Sequence, residues 1–375
     1  MQAETRQLLD LLSTYRTRSI SQAVALPPTA YASQELYELE RERIFEREWL
    51  CIGREEQIAS PGDYFTLEVL DEPMVIVRGR DGEVRALSTI CRHRYMPVVE
   101  GRGNLRKFTC PYHLWTYRLD GSLGGAPYMD RSEALDRDCG LPRFRLESWQ
   151  GFLFVNLDPD AAPLAPRLAG VSERIAAFQL ADWPVGAHYD QVWQGNWKLA
   201  AENGMESYHH MGLHADNVEP WMPAAGTYFE QADAHWNLHR TPIDHAATRE
   251  RGMDFETGSS ALDDDTRAAM LVFFIYPSFV FVLLPNNTTW LSFLPLGPER
   301  IRVIAGMDVP KELADTQGKL LQPALEYLNA QDSAATEKLQ SVMCSRHAVP
   351  GALSDKEESI LHFYRYLASR LGYAS

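Results

Sequence analysis

Apolar and polar positions divide the chain into stretches of different period. Residues 4 to 15 place apolar side chains at helical intervals. Ser33 to Trp49, SQELYELERERIFEREW, set Leu36, Leu39, Ile44 and Phe45 among many charges, so both stretches predict amphipathic helices. Ser33 followed by Glu35 and Glu38 is a start signal, and Pro27-Pro28 separates the two helices. From Trp49 the pattern shortens to runs broken by Gly and Asp: CIGREEQIA, YFTLEVL, PMVIVRGRDGEVRALSTI and FTCPYHLWTYRLDGSL. With turns at Arg80-Asp81-Gly82 and Leu119-Asp120-Gly121, this predicts an antiparallel β domain. After GFLFVNLDP the segment AAPLAPRLAG marks a boundary, and Leu168 to Leu180 predicts a helix leading into a second domain. The most apolar run, Met270 to Leu296, is interrupted by Pro277, Ser278, Pro285, Asn286 and Asn287, so it predicts core strands rather than a membrane helix.

Composition adds limits. The 375 residues are 45% apolar and 23% charged, as in globular proteins of two domains. Five cysteines, Cys51, Cys91, Cys110, Cys139 and Cys344, imply no disulfide framework and a reducing compartment. The opening MQAETRQLLDLLSTYRTRSI lacks the apolar run of a signal peptide, so a cytoplasmic location is expected. A net charge of -15 argues against nucleic-acid binding. Between positions 92 and 118 the balance reverses: Arg92, Arg94, Arg102, Arg106, Lys107 and Arg118 face Glu100 alone. An acidic electron donor has a surface to dock on there, and an ordinary solvated face explains the run equally well.

The same stretch carries the first candidate chemistry. Cys91 and His93 are one residue apart, and Cys110 and His113 are separated by Pro111 and Tyr112. A Cys-x-His knuckle with a Cys-x-x-His knuckle suits a 2Fe-2S centre in which two thiolates hold one iron and two imidazoles the other. A structural zinc is the competing reading, but zinc sites usually pair their cysteines in one loop and their histidines in another.

The second candidate lies in NWKLAAENGMESYHHMGLH, Asn196 to His214, which concentrates Glu202, Asn203, Glu206, His209, His210 and His214 on a predicted helix. Two imidazoles and a distant carboxylate make the facial triad of a dioxygen-activating iron. His209 and His214 are five apart and do not share a helical face, so the helix is expected to distort or end between them, helped by Gly212. His210 and His214 do share a face, and spacing leaves the pair open. For the acid, Leu325, Leu328, Asp332, Ala335 and Leu339 recur at helical spacing, which puts Asp332 on a buried stripe where a cation would offset its charge.

With CRHR and CPYHLWTYRLDG for a cluster, ENGMESYHHMGLH for an iron and QDSAATEKLQ for a last ligand, the chain resembles the catalytic alpha subunit of Rieske non-haem iron oxygenases over essentially its whole length. The resemblance implies that Cys91 and Cys110 hold one cluster iron and His93 and His113 the other. It implies that His209, His214 and Asp332 hold the mononuclear iron, with Asn203 beside them, and that Glu206 bridges electrically to a neighbouring subunit's cluster. The implied fold is α+β. A small antiparallel β Rieske domain (46–160) joins a helix-grip, Bet v 1-like catalytic domain with a curved antiparallel sheet (161–375), on which N-terminal helices (1–45) pack.

The implied assembly is a homotrimer, and the implied partners are a small organic substrate, O2 and a separate reductase or ferredoxin fed by NAD(P)H. The implied reaction is monohydroxylation or oxidative demethylation of an aromatic or methylated-amine substrate. Cis-dihydroxylation of an aromatic ring and a Rieske electron carrier without catalytic iron are the alternatives. A bridging Glu where many aromatic-ring dioxygenases have Asp resembles trimeric demethylases and quaternary-amine monooxygenases. Tyr95 and Leu114 stand where many relatives have Gly. Phe273, Tyr276, Phe279 and Phe281 are candidates to line the pocket, and Trp221, Trp236 and Trp290 to cage a quaternary ammonium, although core packing explains both sets more simply.

Overall fold

The structure, a computed structural model, describes residues 2–132, 135, 139–250 and 261–372. It divides into two compact units, one of Met1–Phe45 with Leu164–Ser375 and one of Glu46–Pro163. The N-terminal helices α1 (Ala3–Thr14), α2 (Thr29–Ala32) and α3 (Gln34–Glu40) belong to the first. Ser33 caps α3, its side chain accepting from the Leu36 N–H at 3.2 Å, but the predicted helix to Trp49 is shorter: Arg41–Phe45 form a π turn that buries Ile44 and Phe45.

The unit Glu46–Pro163 is antiparallel β. Its strands are β1 (Leu50–Arg54), β2 (Asp63–Val69), β3 (Glu72–Arg78), β4 (Val84–Ser88), β5 (Arg102–Asn104), β6 (Phe108–Thr109), β7 (Thr116–Tyr117), β8 (Leu123–Gly125), β9 (Arg143–Trp149) and β10 (Phe152–Asn156). A seven-stranded sheet runs β1-β10-β9-β4-β3-β2-β5, and a three-stranded one β6-β7-β8. Both predicted turns form, with Gly82 and Gly121 at φ 85° and 87°, values that glycine adopts without strain. Between the sheets Val75, Val77, Leu87, Phe108, Trp115 and Tyr117 pack into one core cluster, which also takes in Cys91 and Cys110.

The other unit continues with α4 (Leu164–Arg167), α5 (Ala169–Ile175), β11 (Val185–Trp193), α6 (Trp197–Gly204), β12 (Tyr228–Ala232) and β13 (Trp236–Pro242). Then follow α7 (His245–Glu250), α8 (Asp264–Arg267), β14 (Ala269–Ile275), β15 (Phe279–Leu284), β16 (Asn287–Gly297), β17 (Arg300–Asp308), α9 (Ala314–Val342) and α10 (Glu358–Leu371). Its sheet, β11-β17-β16-β15-β14-β13-β12, is antiparallel throughout.

Register gives this sheet two distinct faces. The cross-strand row His239, Val272, Val282, Thr289, Met307 belongs to the face that carries the long helix: Met307, Ala305 and Ala187 pack on Leu321 and Leu325 of α9. On the same face α6 lies over Val280 and Phe293, and a Cβ added to Gly204 would touch Val280 Cγ1 at 3.4 Å. The adjacent row, Leu238, Phe273, Phe281, Trp290 and Gly306, points the other way with Trp236. There α5 approaches so closely that a Cβ on Gly170 would sit 2.8 Å from the Trp236 ring, a spacing only glycine permits. No helix among the described residues is long and apolar enough to cross a membrane.

Candidate metal centres and active site

The two knuckles of the β unit are built alike. The N–H of Cys91 donates to Met96 O at 3.0 Å and that of Tyr95 to Cys91 O at 3.1 Å. At the same offsets, Cys110 donates to Trp115 O at 2.8 Å and Leu114 to Cys110 O at 3.0 Å. In each, the residue four after the cysteine turns the chain through a left-handed conformation, Tyr95 at φ 63° and Leu114 at φ 58°. The imidazole rings of His93 and His113 come within 4.6 Å of each other, and His93 stacks on Trp115 at 4.9 Å. Both thiols are buried and free, and His93 Nδ1 is buried without a hydrogen-bond partner. Two thiols and two imidazoles on paired loops fit a mixed-ligand two-iron cluster.

Sequence reasoning missed Tyr117, whose hydroxyl lies 3.3 Å from Cys91 Sγ and accepts from the Arg92 N–H at 3.0 Å. Burial, reinforced by the Cys91 contact, raises its pKa. The basic residues Arg92, Arg94, Arg102, Arg106, Lys107 and Arg118 are all exposed, as are Tyr95, Met96, Tyr112 and Leu114 around the knuckles.

In the helical unit the predicted helix from Asn196 to His214 ends early. Helix α6 stops at Gly204, and His209 lies in a 3-10 turn, Tyr208–Met211. The chain leaves the helix because Ser207 turns toward the sheet, where its Oγ is 3.0 Å from His239 Nε2 and 3.1 Å from Thr241 Oγ1. Ending the helix removes the five-residue spacing problem. One potential ligand atom each from His209, His214 and Asp332 lies within 4.8 Å of the others. His210 stays close, its ring 4.7 Å from that of His209, but is turned toward the backbone of Met222; burial and then the neighbouring histidines push its pKa down.

Each imidazole of the trio is held from behind. Glu206 Oε1 is 2.6 Å from His209 Nδ1, and Glu206 Oε2 accepts from the His209 N–H at 3.1 Å and from the Tyr208 N–H. Burial alone would make His209 less basic, but the Glu206 charge and hydrogen bond outweigh it and raise its pKa. His214 Nδ1 is 3.0 Å from Gln331 Oε1, a contact with no sequence signal beyond adjacency to Asp332. Gln331 is itself fixed by Asn217 Nδ2 at 2.8 Å and by donating to Leu213 O at 3.1 Å. Asn203 Nδ2 donates to Asp332 Oδ1 at 3.1 Å, and that oxygen is 3.1 Å from His214 Nε2. With both Nδ1 atoms engaged outward, the Nε2 atoms and the carboxylate remain for a cation, which fits a mononuclear iron with open positions.

Asp332 reaches this point from a face of α9 drawn differently from the expected stripe. The buried positions are Leu321, Leu325, Asn329, Thr336 and Gln340, whereas Leu339 is 48% exposed. The aromatic candidates for a pocket lining follow the simpler core reading. Phe273, Phe279 and Phe281 lie on the sheet face away from His239 and are buried; Tyr276 stacks on Tyr366 at 4.5 Å; Trp236 and Trp290 are sealed in that opposite layer. On the site's own face, Val282, Thr289 and Leu291 stay half-open although Val272 and Met307, at either end of their row, are buried.

Two family models match the chain: "Rieske [2Fe-2S] domain" over residues 48–148 and "Ring hydroxylating alpha subunit (catalytic domain)" over residues 180–373. The carnitine monooxygenase oxygenase subunit of Escherichia coli is 28% identical over 366 residues, 92% of this chain and 94% of that one. The benzene 1,2-dioxygenase alpha subunit of Pseudomonas putida is 37% identical over 236 residues, 58% of this chain and 52% of that one. A solved quaternary ammonium Rieske monooxygenase superposes with a TM-score of 0.80 at 25% identity, covering 94% of this chain and 96% of its own. The chain belongs to the ring-hydroxylating alpha-subunit family, with a Rieske domain preceding the catalytic domain. It is the oxygenase component of a Rieske system, an oxidoreductase whose cofactors are a 2Fe-2S Rieske cluster and a mononuclear non-haem iron. The catalytic-domain match sets aside an electron carrier without catalytic iron.

Proposed function

We propose that the chain oxidises a methylated quaternary ammonium compound at a carbon bonded to the nitrogen, as a homotrimer. Cys91, His93, Cys110 and His113 hold the cluster, and His209, His214 and Asp332 hold the iron. Glu206 links His209 to the cluster of a neighbouring copy. The observation that carries the reading is Glu206 itself: a carboxylate locked by two backbone N–H groups and the His209 imidazole, with the glutamate length that set this chain apart from many aromatic-ring dioxygenases. The oxygenase subunits that act on carnitine support the substrate class. So does the sheet face that carries α9. The row from Ala187 through Met307, Thr289, Val282 and Val272 to His239 contains no Lys or Arg. A cation that cannot hydrogen-bond suits such a face.

When bound, the iron supplies the place where dioxygen is activated and the cluster supplies an electron. The chain's own residues then orient and exclude. Val282 and Leu291 pack the substrate and keep water from the reacting carbon, and Thr289 offers the row a polar contact. Gln331 and Glu206 fix the two imidazoles, while Asn203 holds one carboxylate oxygen of Asp332. One oxygen atom enters the C–H bond and the other leaves as water, with two electrons from NAD(P)H through the reductase and two protons. The hydroxylated carbon then sheds the amine as a carbonyl forms. Trimer formation is supported by apolar side chains exposed at both ends of the proposed electron path, Tyr208 and Met211 beside His209 and Tyr95, Met96, Tyr112 and Leu114 beside His93 and His113.

Turnover with a surrogate reductase and labelled dioxygen tests the reading, using carnitine-like trimethylammonium compounds, tertiary amines, methoxy-aromatics and benzene. Release of an amine with one labelled oxygen per turnover is expected. A cis-diol carrying two labelled oxygens from an aromatic ring, with trimethylammonium compounds inert, would overturn the substrate class.

A further inference from the structure

Helix α6 carries two polar side chains that the proposed reaction does not use, Lys198 and Glu202. Glu202 is largely but not fully withdrawn from solvent. Both of its carboxyl oxygens face the hydroxyl of Tyr31 from α2, at 2.9 and 3.0 Å. Tyr31 is 3% exposed, and its backbone oxygen accepts from Gln340 Nε2 of α9 at 3.3 Å. Tyr364 of α10, which accepts from the Leu26 N–H at 3.2 Å, closes the group from the other side.

The start of the same helix is clamped just as firmly. Glu40 of α3, fully buried, is 2.5 Å from Lys198 Nζ and accepts from Trp197 Nε1 at 2.7 Å, and Asn196 N donates to Gln340 Oε1 at 2.9 Å. An eight-residue helix is thus tied at both ends to the N-terminal segment. The residue after Glu202 is Asn203, which donates to Asp332.

We propose that Tyr31 and Glu202 form a positioning pair through which the N-terminal segment fixes the rotation of α6, and thereby the hold of Asn203 on Asp332. The inference rests on the reading of His209, His214 and Asp332 as the iron ligands. Glu202 works in this pair as a neutral acid. Burial, the largest influence, pushes its pKa up to about 8; Tyr31, Lys198 and Tyr364 pull it down, and Glu357, ahead of α10, raises it. Lys198 is committed to Glu40. At neutral pH a protonated carboxyl joins two tyrosine hydroxyls. Above about 8 a buried carboxylate replaces it, and the helix end must shift to solvate the charge.

The experiment is Co(II) binding to the protein freed of its mononuclear iron but retaining the cluster, measured against a chelator at pH 7 and pH 9. Cluster absorption serves as the check on folding. Relative to Glu202→Gln, wild type is expected to weaken about tenfold between the two pH values, within the range typical for disturbed outer partners of metal ligands. Glu202→Gln should match wild type at pH 7 and escape the Glu202-linked loss at pH 9, while Tyr31→Phe should be about tenfold weaker at pH 7 with its cluster spectrum intact. A merely structural role would move unfolding temperature without moving that pH dependence. The proposal falls if Glu202→Gln is as weak as Glu202→Ala at pH 7, if Tyr31→Phe binds like wild type, or if wild type and Glu202→Gln change alike between pH 7 and pH 9. Failure of the ligand reading has its own signature, retention of Co(II) by His209→Ala.

Discussion

The two metal-holding regions solve one problem in opposite ways. In the β unit, four candidate ligands come from two loops within 23 positions, and each loop closes its own turn with the same pair of backbone hydrogen bonds. At the iron site, His209 and Asp332 are separated by more than a hundred residues, and the histidines sit on irregular backbone. Order there comes from side chains behind the ligands: Glu206, Gln331 and Asn203, with Ser207 tied to His239. The comparison teaches where each site is vulnerable. The knuckles depend on local backbone geometry, the iron site on outer hydrogen bonds that reach across the fold.

The sharpest way to break the comparison is to remove a ligand on one side only. His209→Ala or Asp332→Ala is expected to abolish mononuclear iron and turnover while the cluster's visible and EPR spectra stay at wild-type intensity. Metal analysis would then fall from about three irons per chain to two. His210→Ala is the control, and loss of iron there with retention in His209→Ala would reverse the ligand choice. Next comes Glu206→Gln, which keeps size and hydrogen bonding but removes the charge. It should retain both centres, accept electrons from the reductase normally, and slow substrate-dependent cluster reoxidation by about ten- to a hundredfold in stopped flow. Reoxidation at the wild-type rate would leave the bridging role without support.

Two smaller effects sharpen the other side. Tyr117→Phe deletes the hydrogen bond to Cys91 Sγ, and loss of about 1 kcal/mol of preferential stabilisation of the reduced cluster corresponds to a drop of roughly 40 mV in its potential. Redox titration by EPR reads it, and an unchanged potential would show that the contact carries no electronic weight. The smallest effect is expected at the strained knuckle positions. Tyr95 and Leu114, 84% and 61% exposed, hold left-handed backbone that costs a side-chain-bearing residue about 1–2 kcal/mol, part of which glycine gives back in unfolded-chain entropy. Tyr95→Gly or Leu114→Gly should therefore stabilise the β unit by about 0.5–1 kcal/mol, seen as a higher denaturant midpoint for cluster bleaching.

What the sequence determined by itself was whatever is encoded over a few residues. The spacing that makes Cys91, His93, Cys110 and His113 candidate cluster ligands, the turns at Gly82 and Gly121, and the helix from residue 3 to 14 each rest on local pattern; the turns and the helix appear in the structure near the expected place, and both cysteines lie in one core cluster. Tertiary contacts decided the rest. Helix α6 ends at Gly204 rather than continuing through His214, since Ser207 finds His239 and Thr241 on a strand more than thirty residues away. The buried face of α9 includes Asn329, Thr336 and Gln340, so an apolar stripe misdraws it. Asn329 donates to Leu325 O, and Gln340 bonds Asn196, Glu299 and Tyr31; polar side chains with partners can be buried where a hydropathy pattern sees a surface. The pocket side of the sheet turned on register. Phe281 and Val282 are neighbours in sequence, but a strand sends successive side chains to opposite faces, and only the pairing of β15 with β14 and β16 fixes which of them shares the face of His239 and α9.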